Sequence, residues 1–150
     1  MEQVHYYDVT VNWKSGRIGE LSSSVLTDKV TVATPPEFPK GLPGIWSPEH
    51  LFIAAVNSCL MTTFLAIADN FKFNFIDFES TASGKLEIVD GKYMISEITL
   101  SPVLTIDNDA DREKGMKILH KAEAACLISN SIKSKINYEP FITHEKTHVE

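Results

Sequence analysis

The feature that most constrains this chain is a long run of residues without a charge near its centre. Residues 51–68 read LFIAAVNSCLMTTFLAIA, eighteen positions with no Asp, Glu, Lys or Arg. A run of that length reaches the lower limit for a membrane span, and it is also typical of a helix buried on nearly all sides. Polar residues such as Asn57 and Thr62 interrupt the run, and the chain has no second run of this kind. We therefore predict a buried central helix rather than a membrane anchor.

The residues before this run predict where the helix begins. Ser47 is a suitable N-cap, Pro48 fits the first helical position, and Glu49 places a carboxylate at the positive end of the helix dipole. We predict a helix over 48–70. The preceding segment, 35–47, contains four prolines and two glycines. Because proline lacks the N–H that a helix or sheet interior needs, this segment is predicted to be a stiff loop.

The N-terminal segment, residues 1–34, has the pattern of a β-meander. Its first strand alternates Val9, Val11 and Trp13 with polar neighbours, so we expect that strand to be half-buried. Ser15-Gly16 supplies the first turn of the meander.

Further elements are predicted after the central helix. A hairpin over 74–106 turns at Asp90-Gly91, the strongest two-residue hairpin signal in the chain. A second helix is expected over 109–134, followed by a last strand over 137–147 that Pro140 places at an edge or a bulge. No repeat or linker divides the sequence, so we predict a single domain.

Composition excludes several classes of function. The chain of 150 residues has 14 Lys plus Arg against 20 Asp plus Glu, a net charge of −6. This balance disfavours nucleic acid and anionic lipid as partners. Two cysteines allow one disulfide at most, and the N-terminus has no secretory signal pattern. We expect a cytoplasmic protein whose cysteines are reduced at rest.

Cys59 and Cys126 are the residues to explain. Cys59 lies too far along the predicted helix for the macrodipole to lower its pKa, and Cys126 falls on the buried stripe of the second helix. Burial raises the pKa of a thiol, so a reactive Cys59 needs a cation from elsewhere in the chain. Without one, Cys59 is a small buried hydrophobe.

The candidate cations and their orienting partners are few. The chain has two arginines, and Arg112 stands among acidic residues, which leaves Arg17 after its turn as the more available guanidinium. Glu49 can orient a guanidinium because its ten-residue separation from Cys59 is about 80° short of three full turns. A Cys-His hydrolase using His50 or His120 stays open. Metal and nucleotide sites are unsupported, because the histidines are scattered and the glycines dispersed.

Three segments resemble a known family. Ser47-Pro48-Glu49-His50-Leu51, Ala54-Ala55 and Ser58-Cys59 are similar to the central signature of the OsmC/Ohr family of thiol-dependent peroxidases. Ala124-Ala125-Cys126 resembles its second-cysteine segment, and Ser15-Gly16-Arg17 lines up with its arginine region. The resemblance covers almost the whole chain in order. Two departures stand out, namely Leu127 where the family often has proline and Trp46-Ser47 before the Pro-Glu pair.

The resemblance implies a fold and a site. The fold is α+β and OsmC-like, with antiparallel sheets around two long helices in an intertwined homodimer whose active site lies at the subunit interface. Cys59 is the implied peroxidatic nucleophile and Cys126 the resolving thiol, while Arg17 stabilises the thiolate and Glu49 holds Arg17.

The same resemblance implies an antioxidant, stress-response enzyme. It is a hydroperoxide reductase for small organic hydroperoxides that needs no metal or bound cofactor. Its reductant is an external dithiol, such as a lipoylated protein, and neither nucleic acid nor membrane is a partner. The alternative is a dimer without turnover, in which the same cysteines sense oxidation or an apolar ligand is held.

Overall fold

The computed structural model describes residues 3–145, and its backbone separates into two compact units with the boundary between Leu51 and Phe52. The central helix α1, Pro48–Asn70, begins in the first unit and continues in the second.

The first unit is a three-stranded antiparallel meander. Its strands are β1 (Thr10–Ser15), β2 (Ile18–Ser22) and β3 (Val30–Ala33), in the order β1-β2-β3. Gly16 adopts a φ of 52° in the turn between β1 and β2. Residues 3–9 form no strand, and residues 1–2 of the predicted meander lie outside the described part of the chain.

The expected half-burial of the first strand is wrong. Val9, Val11 and Trp13 are 67%, 61% and 77% exposed, and all six residues of β1 are exposed. Alternating apolar side chains become buried only where a second layer covers one face of the sheet, and the described residues supply β1 with no such cover.

The proline-rich segment is a loop held by backbone hydrogen bonds. The Leu42 N–H donates to the Thr34 carbonyl at 2.9 Å, and Gly41 lies so close to Pro35 that a Cβ there would stand 1.8 Å from its carbonyl oxygen. The loop ends at Ser47, directly before the first residue of α1. The Ser47 hydroxyl accepts the His50 N–H at 3.1 Å, which is the N-cap bond that the sequence predicts.

The second unit is built on a long hairpin. Strands β4 (Asp77–Val89) and β5 (Lys92–Ile106) are antiparallel. Asp90 and Gly91, with φ values of 51° and 80°, make the turn. Strands β6 (Lys135–Tyr138) and β7 (Phe141–His144) both pair with β5 in parallel. The expectation of antiparallel sheets is therefore confirmed for β1–β3 and for the β4–β5 hairpin and wrong for β6 and β7.

The parallel pairs follow from the connection before them. Helix α2, Arg112–Ala125, crosses over between β5 and β6, and a crossover returns the chain in the direction in which it left. Pro140 lies between β6 and β7, so the predicted last strand is split in two. Residues 146–147 of that prediction lie outside the described residues.

The second helix is shorter than the predicted 109–134. A 3-10 turn, Asp109–Asp111, precedes α2, and the helix stops at Ala125 because Cys126 has an extended backbone with φ −65° and ψ 108°. Another 3-10 turn follows at Ser129–Ser131. Cys126 is thus the C-cap of α2 and does not lie on a helical stripe.

The core of the second unit lies between the sheet and one face of each helix. Phe64 of α1 is fully buried and stacks on Phe78 with ring centroids 4.7 Å apart. Gly115 lets α2 approach closely, since a Cβ there would lie 3.1 Å from Leu104 and 3.2 Å from Phe73. The other fully buried core residues include Val56, Leu60, Ile98, Leu100, Ile106 and Leu119.

Helix α1 is less covered than predicted. Its length and composition alone would suffice for a membrane span, since its most apolar stretch has a mean hydropathy of 2.0. Only 28% of that stretch is buried within the chain. Met61 and Leu65 are 39% and 42% exposed. The prediction of a helix buried on nearly all sides does not hold for the isolated chain, because one layer of sheet and α2 contact one side only.

Candidate active site

Two reduced thiols meet in the second unit. Cys59 lies on the buried face of α1, 9% exposed, with its sulfur 3.8 Å from the Thr63 hydroxyl one turn further along. Cys126 is fully buried, and its Sγ lies 3.9 Å from the carbonyl oxygen of Val56, one turn before Cys59 on α1. The structure thus brings both predicted cysteines together.

The surroundings of Cys59 favour its thiolate. Burial raises the pKa of the Cys59 thiol, but hydrogen bonds outweigh that effect and bring the pKa below its ordinary value. The donors are the backbone N–H of Ile128, the Cys126 thiol, the Thr63 hydroxyl and the backbone N–H of Leu127. These causes of the lowered pKa include no cation, and the prediction that a cation from elsewhere in the chain supports the Cys59 thiolate stays a prediction.

The surroundings of Cys126 have the opposite effect. Burial raises the pKa of Cys126, and neighbouring Cys59 raises it further, whereas the hydroxyl and backbone N–H of Ser129 act to lower it. The balance leaves the pKa of Cys126 above its ordinary value. Cys59 therefore ionises first and Cys126 keeps its proton, which is the division that separates an attacking thiol from a resolving one.

Three of the four groups that lower the pKa of Cys59, namely Cys126, Leu127 and Ile128, belong to the turn after α2, residues 126–131. The Asn130 N–H donates to the Cys126 carbonyl at 3.1 Å, and the Ser131 hydroxyl donates to the Leu127 carbonyl at 2.7 Å. Ser and Asn side chains compete with helical hydrogen bonding, which favours a turn here over a continued α2. Sequence reasoning missed these N–H groups, although a signal was present, since Leu127 has an N–H that a proline would lack.

Arg17 and Glu49 lie in the first unit. Arg17 is exposed at the turn before β2 and lines an open cavity of about 540 Å³ with Lys40 and Leu42 of the proline-rich loop. Glu49 lies in the first turn of α1, where its Oε2 is buried and has no hydrogen-bond partner among residues 3–145. No ion pair joins Arg17 to Glu49 within those residues. Their roles remain predictions.

The two candidate histidines are engaged differently. The ring of His50 is hydrogen-bonded through Nδ1 to the Ser47 hydroxyl at 2.7 Å and meets Trp46 edge-on. The ring of His120 packs edge-on against Tyr138, with centroids 5.7 Å apart.

The long central helix carries a thiol whose pKa is lowered, and the end of the other helix contributes a second thiol. These features define an α+β dithiol protein. The sequence matches the model of the family described as OsmC-like protein over residues 41–140. The chain belongs to this family, as its motifs predict.

Other proteins are similar to this chain in sequence or in structure. An uncharacterised protein of Methanocaldococcus jannaschii is 33% identical over 90 residues, which are 60% of this chain and 46% of that protein, so the match spans about half of that relative. An OsmC-like protein of unknown function from Vibrio cholerae superposes with a TM-score of 0.80 at 23% identity, covering 91% of this chain and 99% of that one. An organic hydroperoxide resistance protein from Elizabethkingia anophelis gives a TM-score of 0.75 at 20% identity, covering 97% and 100%. The OsmC-like mixed α and β architecture is confirmed.

Proposed function

We propose that the protein is a thiol-dependent peroxidase that reduces organic hydroperoxides, with Cys59 as the attacking thiolate and Cys126 as the resolving thiol. The observation that carries the proposal is that Cys126 lies 3.9 Å from the Val56 carbonyl, one turn from Cys59, and that the pKa values of the two thiols shift in opposite directions. Family membership and the fold shared with the Elizabethkingia hydroperoxide resistance protein support a role in peroxide resistance.

The first step uses the ionised thiol. The Cys59 thiolate attacks the terminal oxygen of the hydroperoxide, the O–O bond breaks, and the alkoxide leaves and takes up a proton to become the alcohol. Cys59 is then a sulfenic acid. Donors around its sulfur favour this step because they lower the pKa of Cys59 and so raise the fraction of thiolate.

The second and third steps return the site to its starting state. Cys126 loses its proton and its sulfur attacks the sulfenic sulfur of Cys59, so that the S–S bond forms and hydroxide leaves with that proton as water. An external dithiol then reduces the disulfide by exchange and is itself oxidised to a disulfide. A lipoylated protein is the natural class of such a dithiol.

The surroundings of the thiols favour an organic rather than a small polar oxidant. Val56 and Leu60, on the buried face of α1 with Cys59, are fully buried, whereas Leu127, next to Cys126 in the chain, is 65% exposed and offers apolar surface. An alkyl or aryl group gains free energy by covering such apolar surface, whereas hydrogen peroxide has none to bury.

The active form is proposed to be a homodimer. The apolar side of α1 and the exposed apolar residues of β1 are surfaces that a soluble chain normally covers. A second copy of the chain is the proposed cover, and Arg17 and Glu49 act with Cys59 at that interface. The buried, unpartnered Oε2 of Glu49 supports this role, because such an oxygen is costly unless a donor such as a guanidinium meets it.

Turnover tests the proposal. Purified protein with dihydrolipoamide is expected to consume cumene hydroperoxide over many cycles, and Cys59→Ser is expected to abolish consumption. The matched control is Ser58→Ala, next to Cys59 but exposed on α1. Wild-type protein that forms the Cys59–Cys126 disulfide once and cycles with no dithiol would instead identify a redox sensor.

A further inference from the structure

We propose that Thr63 is a positioning residue for the first chemical step, because its hydroxyl donates a hydrogen bond to the Cys59 sulfur and holds that sulfur as the attacking thiolate. This inference rests on the proposed peroxidase function and adds a side chain of α1 itself to the cysteine, arginine and glutamate set.

The placement of Thr63 carries the proposal. It lies one helical turn after Cys59, and residues four apart are neighbours on the surface of a helix. Its Oγ1 atom is 3.8 Å from the Cys59 Sγ, within the range of a hydrogen bond to sulfur. Thr63 is half-buried and Cys59 is 9% exposed, so water has limited access to this contact. A polar contact is electrostatically stronger where water is excluded.

The other hydroxyls in this part of α1 have backbone partners. The Thr62 hydroxyl donates to the Cys59 carbonyl at 3.1 Å, and the Ser58 hydroxyl donates to the Ala55 carbonyl at 3.3 Å. Bonds to a carbonyl three or four residues earlier are common for Ser and Thr within a helix. Thr63 differs from both, since the hydrogen-bond partner of its hydroxyl among residues 3–145 is the Cys59 sulfur.

Ionisation of Cys59 fixes the direction of this bond. While Cys59 is a thiol, either the S–H or the O–H can donate. A thiolate has no proton and only accepts, so the Thr63 O–H must donate to it. A hydrogen bond to an ionised group is stronger than one between neutral groups, and it therefore favours the thiolate over the thiol. The lowered pKa of Cys59, to which the Thr63 hydroxyl contributes, has the same direction.

The bond acts on the sulfur at the start of the first step and is weaker at its end. The Cys59 sulfur forms a bond to the terminal oxygen of the hydroperoxide, the O–O bond breaks, and the alkoxide takes a proton from water to become the alcohol. Thr63 keeps its own proton throughout. The product is a neutral sulfenic acid, so the Thr63 hydroxyl no longer faces a charge.

The other groups around Cys59 allow the effect of the hydroxyl to be measured. Among the described residues of the second unit, the titratable group that acts on Cys59 is Cys126, at the end of α2. Tyr138 of β6 is near Cys126, and burial raises its pKa, so its phenol stays neutral. The strands and α2 contribute apolar side chains to the core beside α1, such as Phe78, Leu100, Leu119 and Ile142. Arg17, the proposed cation from a partner copy, is unchanged when the hydroxyl is removed. A change in the pH dependence of Cys59 therefore reports the hydrogen bond.

Thr63→Val in the full chain tests the assignment, because valine has the shape of threonine without its hydroxyl. We expect the pKa of Cys59 to rise by about one unit, measured from iodoacetamide alkylation against pH with the modified site identified by mass spectrometry. Below that pKa the thiolate fraction falls about tenfold, while each thiolate becomes about threefold more nucleophilic. Sulfenic acid formation with cumene hydroperoxide, trapped with dimedone, is therefore expected to be about threefold slower than wild type below the pKa of Cys59 and about threefold faster above it.

The controls separate hydrogen bonding from a change in packing. Thr63→Ser restores the hydroxyl and is expected to restore the wild-type pH profile. Thr62→Val removes the neighbouring hydroxyl, which bonds to a carbonyl, and is expected to leave the alkylation midpoint unchanged. An unchanged midpoint in Thr63→Val, or a rate lowered equally at every pH, overturns the assignment. Alkylation needs no peroxide, whereas wild-type protein that consumes no hydroperoxide overturns the proposed function itself, so the two failures are distinguishable.

Discussion

The Sγ of Cys126, at the end of α2, lies 3.9 Å from the carbonyl oxygen of Val56, one turn before Cys59 in the middle of α1. The thiol whose pKa is lowered is therefore fixed within a helix, whereas the thiol whose pKa is raised lies where the other helix ends. In the proposed mechanism, Cys126 attacks oxidised Cys59 from that helix end.

Leu127→Pro is expected to weaken the thiolate of Cys59. The variant removes the N–H that donates to the Cys59 sulfur, and the extended backbone of Cys126, with ψ 108°, suits a residue before proline. We expect the pKa of Cys59 to rise by about one unit, measured from thiolate absorbance against pH. Leu127→Ala keeps the N–H and is the matched control, and an unchanged titration in the proline variant would exclude this N–H as a determinant.

Arg17→Ala tests the proposed cation. If Arg17 stabilises the thiolate, its loss is expected to raise the pKa of Cys59 and slow alkylation by iodoacetamide at neutral pH. Arg112→Ala is the control because Arg112 hydrogen-bonds to Asp109 and to the Ile142 carbonyl on the outer side of α2. Equal alkylation rates for Arg17→Ala and wild type would show that Arg17 does not act on the thiolate.

Tyr138→Phe is expected to change stability and its dependence on alkaline pH. Loss of the hydrogen bond to Leu119 is expected to lower the free energy of unfolding by about 1 kcal/mol. Because the pKa of Tyr138 is raised in the folded state, its contribution is complete below about pH 10, the ordinary tyrosine value, and is lost as the pH rises beyond it.

The Tyr138→Phe variant should therefore lose less stability than wild type between about pH 10 and 11. Urea unfolding at several pH values measures the effect. Tyr7→Phe, whose ring is 89% exposed, is the control. Parallel stability curves for the Tyr138 variant and wild type would contradict the prediction.

Leu65→Glu tests the proposed dimer. Leu65 is 42% exposed on the apolar side of α1, and a carboxylate buried in an interface is strongly unfavourable. We expect the variant to elute as a monomer by size-exclusion chromatography with light scattering, with reduced peroxidase turnover. Lys121→Glu, on the exposed side of α2, is expected to stay dimeric. A dimeric Leu65→Glu protein would place the interface elsewhere.

Sequence alone determined the elements whose signals are local. The start of α1 follows from the Ser47 N-cap and Pro48, the hairpin turn from Asp90-Gly91, and the break in the last strand from Pro140. In each case a backbone restriction or a hydrogen bond within a few residues decides where the element begins, turns or breaks. The neighbouring residues in the sequence are therefore enough to predict it.

Tertiary structure alone decided how the thiols behave. The extended backbone at Cys126 ends α2 nine residues before the predicted limit, 134 − 125 = 9, and the N–H groups of Leu127 and Ile128 that follow act to lower the pKa of Cys59. Nearly every residue has an N–H, and the sequence does not record where each one points. The acidity of Cys59 depends on those directions and on burial, which arise only when segments 67 residues apart, 126 − 59 = 67, are packed together.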